Sequence, residues 1–111
     1  MTRWGDERVA RTCDLLVAAA VLWQVSVDEA ADALDWAVTR SKKLDAVVSR
    51  KGNYLEAATP GPSPVQSVAM TTFRGMSGKY SYPSMQQRID IRLNVEVRMR
   101  QAYRYTSRVE L

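Results

Sequence analysis

Side chains able to carry catalytic chemistry are scarce in this chain of 111 residues. Histidine is absent, which removes the common proton shuttles and hydrolytic triads. The single cysteine, Cys13, falls in an apolar helical stripe with no base near it in sequence, and reads as a buried side chain. The same shortage removes the usual nitrogen and sulfur ligands of transition metals and any intrachain disulfide, which fits a reducing, cytoplasmic setting. Asp28, Glu29 and Asp32 form an acidic group, but at a helix start such residues serve as cap and dipole partners. Gly75-Met-Ser-Gly-Lys79 lacks the spacing of a phosphate-binding loop. The chain therefore reads as a non-enzyme, with no cofactor and no evident small-molecule substrate.

What remains is basic charge. Residues 1–50 hold seven basic and eight acidic groups, so the formal net charge of +4 comes from the second half. Within the acidic half the basic residues cluster at Arg40, Lys42, Lys43, Arg50 and Lys51, with Asp45 among them. A local cluster of this kind points to a polyanion contact, and equally describes a solvated helix face.

The elements that must hold these residues divide the chain into three. From about Gly5 to Arg50 the pattern is helical, and from Lys51 to Ser84 the chain holds all four prolines and four of five glycines. From about Gln87 onward it alternates. The first helix is expected over Asp6–Gln24, with Val9, Cys13, Leu16, Val17 and Ala20 on one stripe. Its apolar run Leu15–Trp23 is too short to span a bilayer, and acids precede it where a signal peptide is basic. Ser26 with Glu29 is a capping box, flanked by Val25 and Ala30 as a staple. A short second helix then leads to Thr39 as a further cap, and a third helix runs from Arg40 to Arg50, closed by Gly52. One continuous helix over Val27–Arg50 is the alternative, since nothing between Asp35 and Thr39 is a strong breaker.

Ser26-Val-Asp-Glu-Ala-Ala-Asp-Ala-Leu-Asp-Trp36, followed by Ala37-Val-Thr-Arg-Ser-Lys-Lys-Leu44, resembles the helix-turn-helix of bacterial winged-helix DNA-binding proteins. Glu29, Ala30 and Leu34 occupy the capped helix, and Val38 and Leu44 flank a basic recognition helix. The family often has glycine in the turn, where this chain has Asp35-Trp36. Over residues 6–73 the resemblance implies a wing, with strands at 52–58 and Val65–Phe73 and a tip at Thr59–Pro64. It implies DNA contacts from Thr39, Arg40, Lys42, Lys43, Ser49, Arg50 and Lys51, the lysines on phosphates and Arg50 on phosphate or guanine. Residues 18–48 also loosely resemble the helical RNA-binding antitermination domains.

From Ile89 to Leu111 the odd positions are mostly apolar and the even ones polar. Period-two order of this length predicts a strand with one buried face. As a helix it would set Ile89, Leu93 and Val97 nearly opposite Ile91, Val95 and Met99, two apolar faces that are hard to satisfy in a small domain. A single strand of this length would reach roughly 80 Å, so the segment either turns near Arg100 or extends onto another copy. Arg88, Arg92, Arg98, Arg100, Arg104 and Arg108 would then line phosphates or a solvated face. Trp4, Trp23 and Trp36 read as core or interface anchors.

The expected fold is α+β: a helical, helix-turn-helix-like part, a β-hairpin, and a long C-terminal strand or hairpin. The expected domains are 1–73, winged-helix-like, and 74–111, a β arm for oligomerisation through residues 88–111. The expected function is non-catalytic DNA binding by a small bacterial or bacteriophage regulator, with no membrane partner. The alternative is a structural component of an assembly such as a virion, with a helical head and a long arm.

Overall fold

The computed structural model describes residues 4–48, 61–75 and 82–110, the side chains of 44–48, 75 and 105–110 excepted. Four helices account for nearly all of it: α1 (Asp6–Leu22), α2 (Val27–Val48), α3 (Pro64–Gly75) and α4 (Met85–Glu110). No strand occurs among the described residues, so the expected α+β fold gives way to an all-helical one.

Local chemistry explains where each helix begins and ends. Asp6 and Glu7 place negative charge in the first turn of α1. At its other end Gln24 takes a left-handed conformation (φ 52°). The Gln24 amide donates to the Val21 carbonyl at 3.3 Å and the Val25 amide to the Ala20 carbonyl at 3.1 Å, the paired closure of a Schellman turn. Ser26 caps α2 as expected, its hydroxyl accepting from the Glu29 amide at 3.0 Å.

Two full, reciprocal capping boxes start the helices that were expected to be strands. The Ser63 hydroxyl accepts from the Gln66 amide at 3.2 Å while Gln66 Oε1 accepts from the Ser63 amide at 3.0 Å. Pro64 stands at the first helical position, where no amide is needed. Ser84 and Gln87 repeat the reciprocal pair at 3.1 and 3.0 Å at the head of α4. The expected return strand Val65–Phe73 is thus α3, and the expected arm 88–111 is α4 through Glu110.

The turn expected at Asp35–Thr39 is also absent, because α2 is continuous to Val48. No glycine or proline interrupts it, and each residue of the supposed turn has a helical role. Asp35 accepts from Arg88, Trp36 packs against the core, Ala37 and Val38 are buried, and Thr39 is exposed. The continuous-helix alternative is therefore the one adopted. The wing strand at 52–58 lies outside the described residues.

Cross-helix bonds fix the topology. Trp4 bonds to Gln87, Asp14 to Arg98 and Ala20 to Tyr103, at near-constant separations of 83, 84 and 83 residues, so α1 and α4 run parallel. Asp35 meets Arg88 and Asp32 meets Arg92, so α2 runs antiparallel to α4. Arg8 reaches the Phe73 carbonyl while Trp23 approaches Pro64, so α3 runs antiparallel to α1. The bundle is up-down-down-up, and α3 and α4 each pack against both α1 and α2. Its core combines small residues of α2 (Ala30, Ala33, Ala37) with Leu16, Val65, Phe73, Ile91, Val95 and Met99.

Candidate interaction surfaces

In α4 the alternating pattern resolves into two rows at four-residue spacing. Ile91, Val95 and Met99 are 1%, 0% and 0% exposed and form the core row. Met85, Ile89, Leu93 and Val97 are 66%, 44%, 53% and 52% exposed and form a ridge on the outward side. At 100° per residue the two rows lie about 160° apart. The apolar residues of the second row are thus left in solvent, the situation that made a helix look unfavourable from the sequence.

The arginines of α4 sort by what they touch. Arg88 Nε donates to Asp35 at 2.9 Å and Arg98 to Asp14 at 2.9 Å. Arg92 bonds to Asp32, lies 3.9 Å from Asp35, and pairs with Glu96 one turn on at 3.3 Å. The Asp32 hydrogen bond, helped by the neighbouring acids, holds the Arg92 guanidinium above its ordinary value. These three tie α4 to α1 and α2. Arg100 and Arg104 are exposed and enter no ion pair among the described residues.

A second apolar surface lies between α1 and α3. Leu15, Trp23, Pro64, Val68, Thr71 and Thr72 line an open groove of about 420 Å³. Trp23 is 47% exposed, so it is neither core nor fully covered. Leu22 beside it is 71% exposed.

The expected nucleic-acid residues divide three ways. Lys43 and Thr39 are exposed; Arg40 is half-buried with its guanidinium 5.5 Å from the Trp36 ring. Lys42 Nζ lies 5.2 Å from the Tyr82 ring, within cation–π range. Ser49, Arg50 and Lys51 lie outside the described residues. Lys42 and Lys43 stand at the end of the bundle that also holds Arg74, and there the first turn of α1 presents Asp6 and Glu7.

That end is pinned by aromatic packing. Trp4 and Phe73 rings lie 5.6 Å apart, Phe73 and Tyr82 5.4 Å apart. Arg8 stacks 4.1 Å from the Trp4 ring and donates to the Phe73 carbonyl at 2.7 Å. The sequence pattern had not singled out Arg8 or Gln87. Gln87 is buried, and besides capping α4 it holds the Trp4 backbone, accepting from its amide at 3.2 Å and donating to its carbonyl at 2.6 Å. The Ser-x-x-Gln spacing was the available signal.

A polar cleft of about 380 Å³ between α1 and α4 has Cys13 and the Asp14–Arg98 pair in its walls. Burial pushes the Cys13 thiol up, so it stays protonated and weakly nucleophilic. No group of three or more acidic or cysteine side chains suited to a metal ion occurs among the described residues. No described helix is long and apolar enough to cross a membrane. No family model, curated protein or solved structure matches the chain.

Proposed function

We propose that this chain is a non-catalytic interaction protein, a small cytoplasmic helical subunit of an assembly that works through the outward face of α4. The supporting observation is the ridge of Met85, Ile89, Leu93 and Val97, about half exposed on a helix whose other apolar row already fills the core. A patch of this kind is on the scale of the largest apolar patch of a small soluble chain, which is often its working surface, and this supports the reading. The helical head of the structural alternative is retained; the β arm is replaced by α4.

The test is the size of the species the chain forms in extract of its own cells. The wild-type chain is expected to elute well above its 12.5 kDa. A Leu93→Glu, Val97→Glu variant, folded by circular dichroism, is expected to elute as a free chain. Elution of the wild type at its own mass would overturn the reading.

A second reading, DNA binding, is supported by the adjacent exposed Lys42 and Lys43 on a chain of formal charge +4. It requires the end of one long helix to lie against the duplex, since the helix-turn-helix geometry is gone. Asp6 and Glu7 at the same end oppose phosphate, which ranks this reading second. Replacing both lysines by alanine is expected to weaken binding on every sequence and to lower the salt slope by about two. Unchanged affinity would remove it.

A further inference from the structure

We infer that the ridge on α4 is covered by the same ridge of a second copy of this chain, antiparallel and crossed. The inference rests on the reading of α4 as the working face. It names the occupant from three properties of that face.

The first is charge polarity. Beside the ridge the N-terminal half carries Asp90, held by Gln86 Nε2 at 3.0 Å on the edge that also borders the α1–α4 cleft, and the C-terminal half carries Arg100 and Arg104, the intervening Glu96 being taken up by Arg92 at 3.3 Å. A parallel pair would stack arginine on arginine. An antiparallel pair sets Arg100 and Arg104 of each copy over the Gln86–Asp90 turn of the other, twice by symmetry. The face is complementary to itself reversed.

The second is ridge geometry. A row at four-residue spacing packs between the equivalent rows of another helix, at a crossing near −50°. The coiled-coil alternative needs a seam alternating three and four residues, which Met85, Ile89, Leu93 and Val97 do not form. The contact is therefore short and centred on Leu93 and Val97.

The third is area. The exposed apolar surface of the four side chains is on the order of 400 Å², about half of what one partner contributes to a standard interface. The polar rim supplies part of the rest. The pair is accordingly a reversible dimer, and because area alone does not set its affinity, dissociation is followed over the nanomolar to micromolar range.

Sedimentation equilibrium of the purified chain across that range tests this. The expected result is a monomer–dimer equilibrium. Leu93→Glu raises the dissociation constant at least about tenfold with helical content unchanged, since Leu93 is outside the core. Asp90→Arg weakens the dimer, and adding Arg100→Asp with Arg104→Asp restores it. A monomer at every concentration overturns the inference, as does a dimer indifferent to Leu93→Glu. A dimer broken by Val68→Glu instead moves the contact to the α1–α3 groove and also overturns it. If the purified chain is monomeric while Leu93→Glu, Val97→Glu still abolishes the larger species in extract, self-pairing fails and the interaction-face reading stands.

Discussion

Arg8 joins three elements with one planar group. It stacks on Trp4, approaches Phe73, and supplies a donor to a carbonyl in the last turn of α3. Burial lowers its tendency to hold the proton, yet arginine remains charged. Arg8→Lys keeps a charge but loses the flat fork, so it is expected to cost about 1–2 kcal/mol in urea melts, nearly as much as Arg8→Ala. Full recovery with lysine would reduce the site to simple charge. Tyr103 makes a comparable tie, donating to the Val25 carbonyl at 2.6 Å where α1 turns into α2. Burial pushes its phenol above the usual 10.0. The folded state therefore holds that proton more tightly than the unfolded chain. The resulting stability is complete below the unfolded value and is lost as pH rises through the folded one. Tyr103→Phe is expected to be less stable by about 1 kcal/mol at pH 7 and to lose less stability than the wild type above pH of about 10. Parallel melts of the two proteins across that range measure it, and identical alkaline limbs would show that Tyr103 does not contribute.

At the scale of elements, the helices with one apolar stripe and a cap were legible and the others were not. Leu16 and Ala20 of α1 and the Ser26 cap of α2 lie where helical spacing put them. Thr39 resembles a cap in the sequence, yet an exposed threonine is tolerated inside α2 because its neighbours Val38 and Ser41 are buried. In α4 a period-two run also contains two rows of period four, and pattern alone does not choose between them. Ser84 and Gln87 decide, because a capping box commits the chain to helix from its first turn. The candidate surface was half legible for the same reason: Ile89, Leu93 and Val97 stand out in the pattern as part of one buried face instead of a separate row, and Met85 lies outside the alternating run. The two rows separate by mutation. Val95→Asp places a charge in the core and is expected to unfold the chain. Val97→Asp faces solvent and is expected to leave the melting temperature within a few degrees. Similar damage from both would restore the single-faced strand. Gln24 offers a gain of stability at this scale: its left-handed φ of 52° suits glycine, so Gln24→Gly is expected to raise stability by about 0.5–1 kcal/mol.

The whole molecule extends 56 × 31 × 19 Å, and α4 is the strut along it. It packs on both α1 and α2, and every interhelical ion pair described above has one end on it. Those pairs are partly exposed, so each contributes at most about 1 kcal/mol. The larger share is Ile91, Val95 and Met99, each fully buried, whose transfer from water is worth roughly 1.5–3 kcal/mol apiece. Against a net stability of about 5–15 kcal/mol for a typical domain, losing terms of this size is decisive. Loss of α4 would also strip Gln87 from the Trp4 backbone, Tyr103 from the α1–α2 turn, and the arginine partners from Asp14, Asp32 and Asp35. The remaining α1, α2 and α3 would show solvent the alanine-rich side of α2 against which α4 now packs. A chain ending at Pro83 is therefore expected to lack a cooperative thermal transition, and adding α4 as a separate peptide should restore one. A sigmoidal melt of residues 1–83 alone would instead make α1–α3 the folding unit. In that case α4 would be an appended arm, as the 1–73 and 74–111 division of the sequence had implied.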